Sequence, residues 1–268
     1  MKDFIKLTYQ AFFCLAVMLI FSCSDNVQEE LGSDARSEEV PSAVIDKLQD
    51  VGFLPCDIQR QGENYLAEGD IVITPAALAE MENLVSVPGV AGEEQYRTCN
   101  LVNCNGGRII RVYGSGLSGT LSTGLDWALA NYNSINLCLT FQRVYSGLAD
   151  ITIYATSGAG GSAGWPSGGN PYPRVYVSTS LAAYGANVCE HVIGHEIGHC
   201  LGMRHTDYFN RSYSCGSGGN EGSGGVCAIH VPGTPTSYDP NSLYNSCFSS
   251  GATGELSNYD IAALQYLY

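Results

Sequence analysis

Residues 195–205 read HEIGHCLGMRH, and this stretch decides the fold of the 268-residue chain. His195 and His199 are four residues apart, so on a helix their side chains lie on one face, one turn apart. Two imidazoles in that position can share one metal ion. Gly202 can end the helix sharply because glycine readily adopts a positive φ, and His205 can then turn back as a third ligand.

Glu196 lies directly after the first of these histidines, where its carboxylate can reach a water on the metal rather than the metal itself. Zinc lowers the pKa of such a water to about 7, and a carboxylate can take its proton during attack on a peptide carbonyl. The spacing therefore predicts that Zn²⁺ is held by His195, His199 and His205, with Glu196 as the catalytic base.

This eleven-residue pattern resembles the metzincin clan of zinc peptidases. Three stretches resemble the dual-action HEIGH metallopeptidase family in particular. They are HEIGH at residues 195–199, RHTD at residues 204–207 and IHVPGTPTSYD at residues 229–239. The similarity extends from about residue 68 to the C-terminus. The resemblance implies an α+β, metzincin-like zincin fold, in which a twisted mixed sheet carries an active-site helix and a loop-rich C-terminal subdomain.

The turn beneath the zinc departs from the family pattern. Metzincins place a methionine there, but none of the four methionines in this chain follows His205. The resemblance places the turn at residues 241–247, with Tyr244 or Leu243 in the position of the methionine. Because that methionine packs under the ligands without binding the metal, its replacement leaves the predicted chemistry intact.

The first 22 residues predict a lipoprotein signal peptide, because a short basic start precedes an apolar run at residues 11–21. That run is too short to span a membrane comfortably. Cys23 follows the small residue Ser22, as in a bacterial lipobox. We therefore expect an exported lipoprotein of the bacterial outer membrane or cell surface, anchored through Cys23. An ordinary signal peptide with an incidental cysteine is the alternative.

Charge divides the remaining chain into two regions. Residues 24–100 contain 16 acidic and four basic side chains, whereas residues 101–268 contain nine and six. We predict an acidic tether over residues 23–39, a small N-terminal or pro-segment unit over residues 40–100, and a zinc metallopeptidase domain over residues 101–268. The overall net charge of −14 argues against nucleic acid as a partner, since phosphate binding needs clustered cations.

The N-terminal unit offers three groups that could silence a zinc site. A latent zinc peptidase needs a thiolate, carboxylate or imidazole to displace the catalytic water. Cys56, in LPCD at residues 54–57, resembles the cysteine switch of some metzincins, while Asp57 and Asp70 are the carboxylate candidates. The alternative for Cys56 is a disulfide or simple burial.

Nine cysteines follow Cys23, and export predicts that most of them form disulfides. The family resemblance implies a disulfide between Cys215 and Cys247 that restrains the loop-rich subdomain. Cys99 with Cys104 is a second, local candidate. Nine is an odd number, so at least one of these cysteines has no intramolecular partner.

Several other polar residues have weaker interpretations. Asp126 and Asp207 could orient the imidazoles or instead bind backbone groups. His191 is expected to be structural, since three histidines at positions 191, 195 and 199 span about 12 Å along a helix and cannot share one ion. His230 lies in the loop-rich part and is expected to be structural, with contact to the substrate as the alternative. The strand at residues 174–178 is expected either to form the rim of the cleft or to be internal.

Alternating patterns predict the secondary structure. The expected strands are residues 65–74, 108–113, 137–144, 151–155 and 174–178, and the expected helices are residues 42–51, 75–84, 120–132, 186–201 and 258–268. Residues 158–170 are glycine-rich and are expected to form a loop.

These observations predict a secreted, lipid-anchored, monomeric zinc endopeptidase that acts on protein or peptide substrates. The alternative is a non-catalytic surface lipoprotein, such as an adhesin or glycan-binding module, that retains the zinc site. Glu196 favours the enzyme because a binding module needs no general base. A purely structural zinc site is disfavoured because such sites usually have four protein ligands.

Overall fold

A computed structural model describes residues 39–81, 95–222, 227–235 and 237–268 of the chain. The predicted signal peptide, Cys23 and nearly all of the predicted tether lie outside these residues, as do the last residues of the helix expected to end at position 84. No helix within the described ranges is long and apolar enough to cross a membrane.

An eight-stranded mixed sheet forms the centre of the fold, in the order β1-β2-β3-β8-β9-β7-β5-β6. Its strands are β1 (Ile58–Gln61), β2 (Asn64–Ala67), β3 (Ile71–Ile73), β5 (Arg108–Ser115), β6 (Leu139–Val144), β7 (Ile151–Thr156), β8 (Gly161–Ala163) and β9 (Arg174–Ser178). The neighbours β9, β7, β5 and β6 are parallel to one another, whereas β8 runs antiparallel to β9. A separate antiparallel pair joins β4 (Tyr96–Arg97) to β10 (Ile229–His230).

The described residues also form six α-helices, α1 (Ser42–Asp50), α2 (Pro75–Glu80), α3 (Gly119–Ser134), α4 (Ala186–Leu201), α5 (Ser212–Cys215) and α6 (Asn258–Leu267), together with 3-10 helices at Pro55–Asp57 and Thr179–Tyr184. Every residue of α4 from Val188 onward is buried, as expected for a helix packed on all sides. Helix α3 approaches α4 so closely that a Cβ on Gly124 would lie 2.6 Å from Cβ of Cys189. Glycine at this position therefore allows the two helices to pack.

The predicted α+β class, with a mixed sheet and a long helix that carries two of the predicted metal ligands, is confirmed. Two details of the prediction were wrong. The strand expected at residues 65–74 is a hairpin of β2 and β3, which turns at Glu68 and Gly69 with φ of 58° and 89°. The loop expected at residues 158–170 contains β8, whose glycine-rich sequence lacks the alternation typical of a strand.

Strand β9 pairs with β7 on one side and β8 on the other, so it is internal rather than the rim of the cleft. The strand that borders the cleft is β8. Its outer side pairs in parallel with β3, where the backbone N–H of Ala163 donates to the carbonyl of Asp70 at 2.9 Å. Residues of the N-terminal region thereby extend the sheet.

The N-terminal region has a small apolar core of its own. Its buried members are Leu48, Phe53, Ile58, Ala67, Ile71, Ile73 and Met81, together with Trp165 from beyond β8. Among the described residues of that core, Trp165 is the single member from the predicted peptidase domain. The boundary between residues 40–100 and 101–268 remains a prediction.

Three disulfides restrain the structure. Cys215 pairs with Cys247, which confirms the pairing implied by the family resemblance. The local pair Cys99–Cys104 was wrong, because the fold brings distant partners to both. The pairing of β4 with β10 places Cys99 beside Cys227, and the hydrogen bond from Arg108 N–H to the Cys138 carbonyl places the preceding loop, with Cys104, beside Cys138.

Candidate metal centre

The three predicted histidines converge at the C-terminal end of α4. His195 and His199 lie on one face of the helix, with ring centroids 4.5 Å apart. The helix ends at Gly202, which has φ of 108° and donates its N–H to the last helical carbonyls. The chain then returns, so that the ring of His205 lies 5.2 Å from that of His195 and 4.9 Å from that of His199.

Each imidazole is oriented by an oxygen atom facing Nδ1. His195 Nδ1 lies 2.8 Å from the Leu243 carbonyl, and His199 Nδ1 lies 2.8 Å from the Met203 carbonyl. Carbonyl oxygens only accept hydrogen bonds, so both rings carry a proton on Nδ1. The lone pair on Nε2 is then available, which is the tautomer that binds a metal through Nε2.

The fourth member of the cluster is Asp70, which follows the β2–β3 turn. One ligand atom from each of Asp70, His195, His199 and His205 lies within 4.8 Å of the others. Asp70 Oδ2 is 2.8 Å from His205 Nε2 and 3.8 Å from His195 Nε2. Within the described part of the chain, His199 Nε2 has no hydrogen-bond partner. Three convergent imidazole nitrogens and a carboxylate fit the ligand preferences of Zn²⁺.

Burial and the other two imidazoles hold the pKa of His199 well below its usual range. His199 is therefore neutral at physiological pH, as a metal ligand must be. Burial alone would raise the pKa of Asp70, but the imidazoles of His205 and His195 lower it below the ordinary value of an aspartate. Asp70 is consequently an ionised carboxylate within the cluster.

Glu196 lies beside the three imidazoles with 2% of its surface exposed. Its Oε2 atom has no hydrogen-bond partner among the described residues. Burial, and secondarily the charge of Asp70, raise its pKa well above the usual value for a glutamate. The backbone of β8 lies against this side chain, since a Cβ on Gly161 would be 2.5 Å from Glu196 Oε1. Glu196, whose raised pKa favours its protonated form, therefore lies beside both the candidate metal ligands and strand β8.

Glu221 is a functional residue that the sequence analysis missed. Its Oε1 accepts a hydrogen bond from His205 Nδ1 at 2.6 Å and from Ser246 Oγ at 3.0 Å, while Arg204 donates to Oε2 at 3.3 Å. Burial alone would raise its pKa, but His205 and Arg204 hold the pKa at about 2. Glu221 is therefore ionised and fixes the ring of His205.

The two aspartates considered for this role have other partners. Asp207 accepts hydrogen bonds from the hydroxyls of Ser214 and Ser246 and thereby fastens the loops below the metal site. Asp126 pairs with Arg143 at 2.6 Å, away from the cluster. The backbone-binding alternative holds for Asp207, which also accepts from the backbone N–H of Ser246 at 2.9 Å.

The ring of Tyr244 lies beneath the three histidines of the cluster. Its ring centroid lies 6.3 Å from that of His195, and its hydroxyl is 2.9 Å from the hydroxyl of Tyr132. The ring contacts α4 at Gly198, where a Cβ would lie 2.1 Å from Tyr244 Cε1. The tyrosine side chain therefore takes the place under the ligands, while its neighbour Leu243 contributes the carbonyl that orients His195.

The remaining candidates lie outside the cluster. His191 packs against Phe248, and His230 packs against Tyr96 with its Nε2 3.0 Å from Thr234 Oγ1. Cys56 is exposed, and the Asp57 carboxylate lies 4.0 Å from Arg211. Of the three switch candidates, Asp70 is the one that brings a ligand atom to the metal centre.

A metal-binding histidine cluster with an adjacent glutamate, beside a sheet strand, is typical of metallopeptidases. The comparison with protein families agrees, because the family described as dual-action HEIGH metallo-peptidase matches residues 65–268. The chain belongs to the dual-action HEIGH metallopeptidase family. No match was found among curated protein sequences.

Solved structures with similar folds include two of myroilysin and one of a hatching enzyme. The two myroilysin structures are 20% and 18% identical to this chain, with TM-scores of 0.42 and 0.39. They cover 61% and 72% of this chain and 80% and 95% of their own. High choriolytic enzyme 1, a hatching enzyme zinc-protease from the medaka fish Oryzias latipes, is 17% identical, with a TM-score of 0.40, over 62% of this chain and 92% of its own.

Proposed function

We propose that this protein is a zinc-dependent endopeptidase of the metzincin type. The observation that carries the proposal is the orientation of the three imidazoles, whose Nδ1 atoms face oxygen acceptors while their Nε2 atoms converge. His195, His199 and His205 would hold Zn²⁺. When bound, zinc supplies a Lewis acid that polarises a peptide carbonyl and acidifies water.

The chain's own residues supply the remaining functions. Glu196 is placed to accept a proton from the attacking water at Oε2 and to deliver it to the nitrogen of the leaving amine. Strand β8 borders the cleft, and an extended substrate peptide could add to its outer edge through backbone hydrogen bonds once β3 is displaced from that edge. Substrates would accordingly be extended segments of proteins or peptides.

The same geometry supports latency. Strand β3 lies on the outer side of β8 and Asp70 lies among the ligand nitrogens, so the N-terminal region covers both the strand and the metal position that a substrate would need. We therefore propose that residues 40–100 act as a pro-segment and that Asp70, rather than Cys56, is the inhibitory group. Displacing the Asp70 carboxylate would free the fourth zinc position.

The test uses the full chain on a denatured protein mixture, with cleaved bonds mapped by mass spectrometry. Asp70→Ala should cleave faster than the wild type, should lose that activity to a chelator, and should retain about one zinc per chain. Asp57→Ala is the matched control and should remain as slow as the wild type. If Asp70→Ala binds zinc but cleaves nothing, both intact and after limited proteolysis has removed β3, the peptidase proposal is wrong. Equal rates for both variants and the wild type would reject Asp70 as the inhibitory group.

Export and lipid anchoring through Cys23 are a separate proposal. The sequence of residues 1–23 supports it, and three disulfides are typical of proteins outside the reducing cytoplasm. In a bacterial host, the mature protein should fractionate with membranes and carry lipid on its N-terminal cysteine. Cys23→Ala should release the protein from membranes, and an unchanged distribution would refute the anchor.

A further inference from the structure

A cavity of about 380 Å³ lies beside the metal centre, between α4 and the loops of residues 238–255. His191 and Asn245 line this cavity and also line the cleft that contains His195 and Glu196. The cavity is therefore a side branch of the cleft. Its lining contains no residue of the N-terminal region, in the ranges the structure describes.

Two polar side chains in the wall of the cavity have atoms without partners. Asn245 is 5% exposed and donates from Nδ2 to the Asp239 carbonyl at 3.0 Å, which fixes the orientation of its amide group. Its Oδ1 atom has no hydrogen-bond partner among the described residues, and neither has Nε2 of His191, which is 8% exposed. Buried polar atoms are normally paired, so these two atoms indicate a ligand that hydrogen-bonds to them.

The chemistry of the wall favours a hydrogen-bond donor with positive charge. Amide Oδ1 of Asn245 can only accept, and the Nε2 atom of a neutral imidazole accepts when Nδ1 carries the proton. Glu255, an exposed residue at the mouth, is the one charged side chain among the described lining residues. A carboxylate ligand would meet repulsion from Glu255, and a carboxamide, although hydroxyl groups of the lining could pair with its oxygen, would gain no attraction from this charge.

The surrounding loops are also anionic. Between residues 206 and 268 the sequence contains five acidic residues and a single basic one, Arg211. Arg211 does not line the cavity, and its guanidinium lies 3.5 Å from Glu221 and 4.0 Å from Glu68. Thus no cation among the described lining residues competes for the acceptors of the cavity.

We propose that this cavity binds the side chain of a lysine or arginine adjacent to the scissile bond of the substrate, through Asn245 Oδ1, His191 Nε2 and the Glu255 carboxylate. The inference rests on the proposed peptidase function for its substrate, but the affinity of the cavity for a cation is independent of catalysis. Asn245 and Glu255 are then specificity-determining residues.

The first experiment measures binding in the full wild-type chain, by following the NMR signals of the His191 imidazole. The probes are n-butylammonium, which mimics a lysine side chain, and propionamide, which mimics glutamine. n-Butylammonium should shift these signals saturably, propionamide should not, and Glu255→Gln should weaken the response about threefold to tenfold. Glu63→Gln removes an exposed charge in the β1–β2 turn and is the matched control. Stronger binding of propionamide, or no binding of the ammonium, would overturn the proposal.

The second experiment maps cleavage sites in a denatured protein mixture with the full chain carrying Asp70→Ala. Lysine and arginine should be enriched at one position next to the cleaved bond, and adding Glu255→Gln should reduce this enrichment while Glu63→Gln leaves it unchanged. Cleavage without a basic preference would refute the inference and leave the peptidase proposal standing. Absence of cleavage, also after limited proteolysis has removed β3, together with ammonium binding would refute the peptidase proposal and leave a cation-binding cavity.

Discussion

The metal centre has two halves that are built differently. In the helical half, His195 and His199 are positioned by a regular, buried helix and need only backbone carbonyls to fix their rings. In the loop half, His205 depends on the ionised Glu221, a residue 16 positions away in sequence. A helix positions ligands through its period, whereas a loop needs buried charges and covalent links to achieve the same precision.

The loop half shows these restraints in detail. Asp207 fastens two segments by accepting from Ser214 and Ser246, and the disulfide between Cys215 and Cys247 joins the same segments. The loop-rich region is therefore rigid where it meets the metal site, although regular secondary structure is sparse there. Each half of the site can be weakened separately, and the expected effects differ in size.

The largest effect should come from the helical half. In the Asp70→Ala background, His199→Ala should lose nearly all bound zinc, because two imidazoles are left to hold the ion. Metal analysis of the purified full-length variant measures this directly, and a zinc content near one ion per chain would contradict the ligand assignment.

Glu196→Ala separates catalysis from metal binding in the same helix. In the Asp70→Ala background, this variant should keep its zinc but lose activity by about 10²–10⁴-fold, because the proton acceptor is removed while the three imidazoles remain. The measurement compares initial cleavage rates at equal zinc content. A variant that cleaves at an undiminished rate would eliminate Glu196 as the base.

In the loop half, replacing both Cys215 and Cys247 by serine should lower the free energy of unfolding by roughly 3–4 kcal/mol in the chain-entropy account of disulfides. Denaturant unfolding in the presence of excess zinc measures this change. Cys189→Ser is not a suitable control, because the Cys189 thiol is buried and its replacement would itself affect stability. Cys56→Ser, at an exposed position, is the better control. A loss below about 1 kcal/mol would mean that side-chain hydrogen bonds alone hold these loops.

Glu221→Ala should weaken zinc binding about 10- to 100-fold, since the partner that orients His205 is lost. Glu221→Gln should weaken it less, because its amide oxygen still accepts the hydrogen bond but carries no charge. Zinc affinity is measured by competition with a chelator. An unchanged affinity in Glu221→Ala would show that the loop backbone alone orients His205.

The smallest expected effect is a pH dependence of stability that arises from Glu190 in α4. Burial, and secondarily Glu255, raise the pKa of Glu190 from its usual 4.5 to about 7. Between pH 4.5 and pH 7 the Glu190 carboxyl is ionised in the unfolded chain but protonated in the folded chain. The free energy of unfolding therefore falls as the pH rises from 4.5 through 7. Glu190→Gln should remove this loss and stabilise the protein by ~1–2 kcal/mol at pH 8.

Thermal unfolding at pH 5 and pH 8 tests the Glu190 prediction. The stability gained through Glu190→Gln should be larger at pH 8 than at pH 5. The hydrogen bond from Asn131 Nδ2 to Glu190 Oε1, at 2.8 Å, can form in the variant too, because glutamine keeps an oxygen acceptor there. An equal gain at both pH values would place the effect in packing rather than in ionisation.

The two halves also differ in how far the sequence predicted them. The period of α4 and the glycine that ends it are local signals, and they place His195 and His199 correctly on one helical face. Glu221 stands in a glycine- and serine-rich segment with no spacing that relates it to His205, so only the folded loops reveal its role.

The same limit applies to the cleft strand and to the proposed inhibitory group. Strand β8 is three residues long and contains Gly161, whose backbone lies against Glu196, so a pattern of alternating apolar residues is missing. Asp70 was one of three candidates in the sequence. Its selection depends on the pairing of β3 with β8, a contact between residues about 90 positions apart that no local pattern encodes.

The contact between Gly198 and Tyr244 constrains how this protein can be altered. Since a Cβ at position 198 would lie 2.1 Å from the tyrosine ring, any larger residue there requires a smaller side chain at position 244 beforehand. A mutational library that randomises position 198 alone would therefore recover almost no folded members beyond the parent. Randomising both positions together would show whether glycine and tyrosine can be exchanged for a larger residue in the helix and a smaller side chain beneath it.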